Sequence, residues 1–118
     1  MRITEKLLFD IAQAAKNIST FTAEMDRDAF DADAKTQASV LYEILVIGEA
    51  VKLLPTEWIS KHPAIPWTAI ARMRDHTIHR YFNVDLDLVW QVVTENAPSL
   101  YRYLVPIVTP LLSEGDNL

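Results

Sequence analysis

Apolar residues recur along this chain at alternating intervals of four and three. Leu7, Ile11, Ala14, Ile18 and Phe21 form one face of a helix that Thr4 can cap and that runs to about Thr22. A second helix, from about Ala34 to Leu54, carries Val40, Ile44, Ile47, Val51 and Leu54, with Leu41, Leu45 and Gly48 as a parallel row, and stops at Pro55. Gly48 costs helix stability, and a close approach of another helix would offset that cost. Thr56 to His62 suits one short helical turn, and Pro66 suits the first turn of a third helix whose Trp67, Ile70 and Met73 face inward. Asn83-Val84-Asp85 reads as a turn, with Asp85 capping a fourth helix lined by Leu86, Val89, Trp90, Val93 and Ala97. Pro98 predicts a kink or restart there, with Asn96 as a second cap. The stripe continues through Leu100, Leu104, Ile107 and Leu111, Pro106 and Pro110 make the tail irregular, and Ser113–Leu118 is expected to fray. No segment reads as a strand. The pattern predicts an all-α, up-and-down bundle of four to five helices forming a single domain over residues 1–118.

Composition sharpens this in a few places. The chain has only 2 glycines and is 50% hydrophobic, which favours helices over a turn-rich sheet. Glu24 to Asp33 holds five acids and one arginine and reads as a solvated connector anchored by Phe30. With no cysteine, disulfides and thiolate zinc sites are excluded. No apolar run is long enough to cross a membrane and the start lacks an apolar signal core, so a soluble, cytoplasmic protein is expected. The pI of about 5.0 argues against broad nucleic-acid coating but leaves room for a small basic cleft.

Charge supplies such a cleft. The chain carries a net charge of -5, yet Lys61–Arg80 is +3, with Lys61, Arg72, Arg74 and Arg80 against Asp75; everything else is therefore -8. His62, His76 and His79, all the histidines, fall in the same segment. Arginine offers a planar fork for phosphate oxygens, and histidine moves a proton near neutral pH. Arginine and histidine without a carboxylate cluster point to phosphate-ester chemistry without a metal or other cofactor. On a straight helix Arg72, His76 and His79 share a face, whereas Arg74 and His79 lie roughly 140° apart. Arg74 and His79 serve one site only if the helix ends or bends between them, or if a second copy contributes. Other readings of the same residues stay open. Arg80 and His79 could simply complement a helix C-terminus, and His76 with His79 could begin a zinc site. Glu49 could face water or hold a basic group of the Arg72–His79 segment.

Arg74-Asp75-x-x-x-His79-x-Tyr81 matches the Arg-x4-His-x-Tyr signature of HEPN-domain toxins. Ile47-Gly48-Glu49-Ala50, Ile65-Pro66-Trp67, Met73-Arg74-Asp75, Tyr81-Phe82-x-Val84-Asp85 and Val89-Trp90 follow in the expected order. Across nearly its whole length the chain resembles the HepT-like half of HEPN/MNT toxin–antitoxin pairs, MNT meaning minimal nucleotidyltransferase. It departs locally at Arg80, where a glycine or an acid would be unremarkable. The resemblance implies a homodimeric helical bundle that acts as a metal-independent endoribonuclease on mRNA or tRNA. Its catalytic pair would be Arg74 and His79, in a cleft between the two copies. Asp75 would orient the arginine, and His76, Arg72, Arg80 and Glu49 would support the site. Tyr81 would be the position that a nucleotidyltransferase antitoxin modifies with AMP, with Tyr81 exposed and Phe82 buried. The alternative is a helical dimer that binds RNA or nucleotide, or docks the nucleotidyltransferase, without cutting.

Overall fold

The computed structural model describes residues 3–79 and 83–112, with positions 76–79 described by their backbone alone. Three long helical rods make the body. The first is α1 (Ile3–Phe21), which packs along both of the others, α3 (Ala34–Lys52) and α8 (Ala97–Val108). Between them lie the short helices α2 (Arg27–Asp31), α4 (Thr56–Ser60), α5 (Trp67–Ala71), α6 (Met73–Thr77) and α7 (Leu86–Gln91). The chain is thus all-α in character, with more and shorter helices than the apolar stripes alone predict.

The core follows the stripe closely on α3, where Val40, Ile44, Ile47 and Val51 are all buried, as is Leu54 just past the helix end. On α1 the stripe is rotated. Ile11, Ala14 and Ile18 are buried, but so are Leu8, Ala12 and Ala15, while Phe21 is exposed. A helix held between two neighbours needs apolar edges on two sides, and α1 meets both α3 and α8. Helix α1 also begins at Ile3, so Thr4 sits inside its first turn rather than capping it.

The acidic connector is not a plain loop. Asp26 accepts from the Ala29 amide and starts α2, whose Phe30 is fully buried and lies 5.3 Å, ring to ring, from Trp90. Arg27 pairs with Asp31 and, across the chain, with Asp87 (2.8 and 2.7 Å). Asp33 then caps α3, accepting from the amide and hydroxyl of Thr36. Those bonds, the backbone one foremost, hold the Asp33 carboxyl below its usual range. A depressed folded-state pKa contributes stability above the unfolded value, roughly pH 4, and that contribution disappears as pH falls through the folded value. Asparagine caps as well and does not titrate. Asp33→Asn is therefore expected to melt close to wild type at neutral pH and to lose less stability below about pH 4; thermal melts across that range check it.

Two further segments depart from the sequence pattern. The helix through Pro98 does not restart on a new cap. A π-helical turn, Val92–Asn96, joins α7 to α8, and Gln91, Val92, Asn96 and Ala97 all keep right-handed helical dihedrals. Asn96 makes no side-chain cap. Proline has no N–H to continue the α ladder. The Ala97 amide instead reaches back five residues to the Val92 carbonyl, and the wider turn accommodates the ring. The expected third helix is also divided, into α5 and α6, and is followed by a minimal antiparallel pair, β1 (Ile78–His79) and β2 (Asn83–Val84). Asp85 caps α7 as expected, accepting from the Leu88 amide. No helix among the described residues is long and apolar enough to cross a membrane.

Candidate functional site

The site is built where α5 and α6 lie against α3. Trp67, Ile70 and Met73 are buried, as their spacing predicts, and fix this pair of short helices on the core. The short helices come close at Gly48. A side chain there would begin 3.2 Å from the Ala71 carbonyl oxygen and 3.8 Å from Arg74 Cβ. The absent side chain lets α5 and α6 sit directly on α3, and that contact supports the glycine in mid-helix.

One residue beyond Gly48, Glu49 projects beside α6. Arg74 Nη1 donates to Glu49 Oε1 at 2.9 Å, and Lys52 Nζ lies 3.7 Å from the same oxygen. The side chains remain open to solvent: Arg74 is 45% and Glu49 52% exposed. Both readings of Glu49 thus hold together, since it faces water and also holds a basic group of the motif. Lys52 is absent from the sequence-derived set. Its only sequence signal is the i, i+3 spacing from Glu49.

Arg72 is the C-cap of α5, exposed, with its amide shared between the Thr68 and Ala69 carbonyls. It does not share a straight helix with His76 and His79, so the expected common face does not form. Asp75 is exposed in the first turn of α6. Helix α6 ends at Thr77, between Arg74 and His79, and His79 stands in β1, in register with Asn83. The condition that relieves the 140° separation, a helix ending between the two, is therefore met. His76 lies within α6. Arg80, Tyr81 and Phe82 lie outside the described residues, as do the side chains of His76 and His79.

His62 belongs to a different cluster. Its ring stacks on Trp58 (3.9 Å between centroids), its Nδ1 meets the Tyr103 hydroxyl at 2.8 Å, and its carbonyl accepts from the Trp67 indole. It ties α4 and α5 to α8, which is structural work. Among the described residues no three His, Cys, Asp or Glu side chains gather as a metal site.

Residues 11–107 match the family described as ribonuclease HepT-like. A protein of Thermococcus cleftensis named a probable ribonuclease HepT is 46% identical over 93 residues, 79% of this chain and 84% of its own length. A Methanocaldococcus jannaschii protein provisionally named an RNase is 39% identical over 110 residues, 93% of this chain and 91% of its own. A second protein of that organism, also provisionally named an RNase, is 34% identical over 110 residues, 93% and 95% of the two chains. No solved structure matches the chain significantly.

Proposed function

Because the chain belongs to the ribonuclease HepT-like family, we propose that it is an endoribonuclease, and that it serves as the toxin of a toxin–antitoxin pair whose antitoxin is a minimal nucleotidyltransferase. The observation that carries this reading is the intact Arg74, His79 and Tyr81 motif on a segment that seats Arg74 at the surface, half-exposed and supported from α3.

The chemistry follows from residue types and needs no metal. His79 accepts the proton of a ribose 2′-hydroxyl, and the freed oxygen attacks the adjacent phosphorus. The bond from phosphorus to the 5′-oxygen breaks, and that oxygen takes a proton as it leaves. The products are a 2′,3′-cyclic phosphate and a 5′-hydroxyl. Arg74 stabilises the charge that grows on the phosphoryl oxygens. The RNA is an mRNA or a tRNA.

A homodimer completes the reading. Tyr42 and Leu53 are 64% and 69% exposed and lie on the same face of α3 as Glu49, seven and four residues away. Exposed apolar residues on either side of the Arg74 site support a second copy that meets these flanks and leaves an open cleft over Glu49 and Arg74 between the two chains. Light scattering is expected to give twice the 13.4 kDa chain mass.

Control runs through Tyr81, whose phenol is a competent acceptor for AMP. The attached phosphate would engage the neighbouring arginines, and the adenosine would block the cleft. Co-expression with the nucleotidyltransferase is expected to add one AMP mass that maps to Tyr81, and Tyr81→Phe to remain toxic yet unmodified. A shift that persists in Tyr81→Phe, or that maps to Tyr101 or Tyr103, would refute this control. Expressing the chain with and without that partner, while scoring growth and RNA integrity, tests the whole reading. A chain that binds RNA or the partner but never cuts would instead be a docking subunit.

A further inference from the structure

We infer that Glu49 is the positioning residue for Arg74, the carboxylate that orients its guanidinium toward the scissile phosphate. The inference rests on the ribonuclease reading above and names a part of that site. Three observations carry it.

The first is placement. Glu49 follows Gly48, where a side-chain carbon would stand 3.2 Å from the Ala71 carbonyl oxygen and 3.8 Å from Arg74 Cβ, so it projects from α3 beside the seat of Arg74. An arginine side chain is long and flexible, and its fork reads a phosphate well only when its plane is fixed. A carboxylate on the facing helix, 2.9 Å from Nη1, fixes that plane from one edge.

The second is exposure. With the side chains 45% and 52% exposed, the pair adds little to stability. The contact is therefore poorly explained as a fold-stabilising bridge, and it stays within reach of a phosphodiester arriving from solvent. The third is charge. A lone carboxylate would repel the phosphate, but Lys52 stands 3.7 Å from the same Glu49 oxygen. Lys52, Arg74 and Glu49 together keep a net positive site while the carboxylate orients the arginine.

The test compares wild type, Glu49→Gln, Arg74→Ala and the double variant on an RNA oligonucleotide. Glu49→Gln should lower kcat about tenfold, the cost of a small misplacement of a catalytic group. KM should stay level or fall, since a negative charge has been removed beside the phosphate, and melting should hardly move. Guanidinium chloride at millimolar concentration should partly restore Arg74→Ala, because free guanidinium can occupy the place beside Glu49. The same addition should restore the double variant several-fold less. Equal rescue of the two, or wild-type kcat in Glu49→Gln beside an inactive Arg74→Ala, would overturn the inference while leaving the ribonuclease reading intact. A readout independent of cleavage is rotation of the Arg74 guanidinium, followed by nitrogen-15 NMR. It should speed up in Glu49→Gln, and unchanged rotation would refute the positioning whether or not RNA is cut.

Discussion

Arg74→Ala and His79→Ala should each lower RNA cleavage by ~10²–10⁴-fold, the usual worth of acid–base help and of stabilising developing charge. Neither change should unfold the protein. Arg74 is nearly half exposed and its ion pair with Glu49 is open to water, so losing it costs about 0–1 kcal/mol. The helical circular dichroism spectrum should therefore persist while cleavage falls by that factor and toxicity is lost. His76→Ala should cost less, because it stands in α6 rather than at the motif's histidine. Cleavage should survive excess EDTA and leave cyclic-phosphate or 3′-phosphate ends. Loss of activity in EDTA with recovery on zinc would instead favour a metal held by His76 and His79.

How much of this was legible in the sequence depended on whether the signal was local. The α3 stripe, the Asp85 cap, the Phe30 anchor and the inward Trp67, Ile70 and Met73 are all set by spacing or by a residue's own hydrogen bonds, and they stand where the sequence puts them. The break between α5 and α6 has no such signal. No glycine or proline lies between Trp67 and Thr77, and the chain divides at Arg72, next to the Ala71 carbonyl that meets α3 over Gly48. Packing against a distant helix decides it, and a single-helix wheel cannot show that. The expected new cap at Asn96 fails for the converse reason: the local cost of Pro98 is real, and a π turn between α7 and α8 absorbs it without a restart. For the site, the motif names Arg74 and His79 and the sequence offers Glu49 as a holder of some basic group, but only the fold picks out Arg74, 25 residues later, as that group and adds Lys52 beside it.

Gly48 is where packing and proposed chemistry meet, and Gly48→Val tests both at once. The first side-chain carbon would stand 3.2 Å from the Ala71 oxygen and 3.8 Å from Arg74 Cβ. The nearer neighbour is backbone and cannot rotate away, so the added branches of valine must push α5 and α6 off α3. Replacing a helical glycine returns a few tenths of a kcal/mol in propensity, whereas overpacking costs about 1–3 kcal/mol, so the balance is destabilising. A lower melting temperature is expected. A larger effect is expected on cleavage measured well below that temperature. Displacing Arg74 by about 1 Å relative to Glu49 and the phosphate should cost on the order of 10²-fold. Gly48→Ala, which adds only the first carbon, should cleave at a rate between those of wild type and valine. If Gly48→Val melts lower yet cleaves at the wild-type rate, the close approach serves the fold alone. If it both melts and cleaves like wild type, α6 is not seated through this contact, and the placement of Arg74 must come from its buried neighbours Ile70 and Met73.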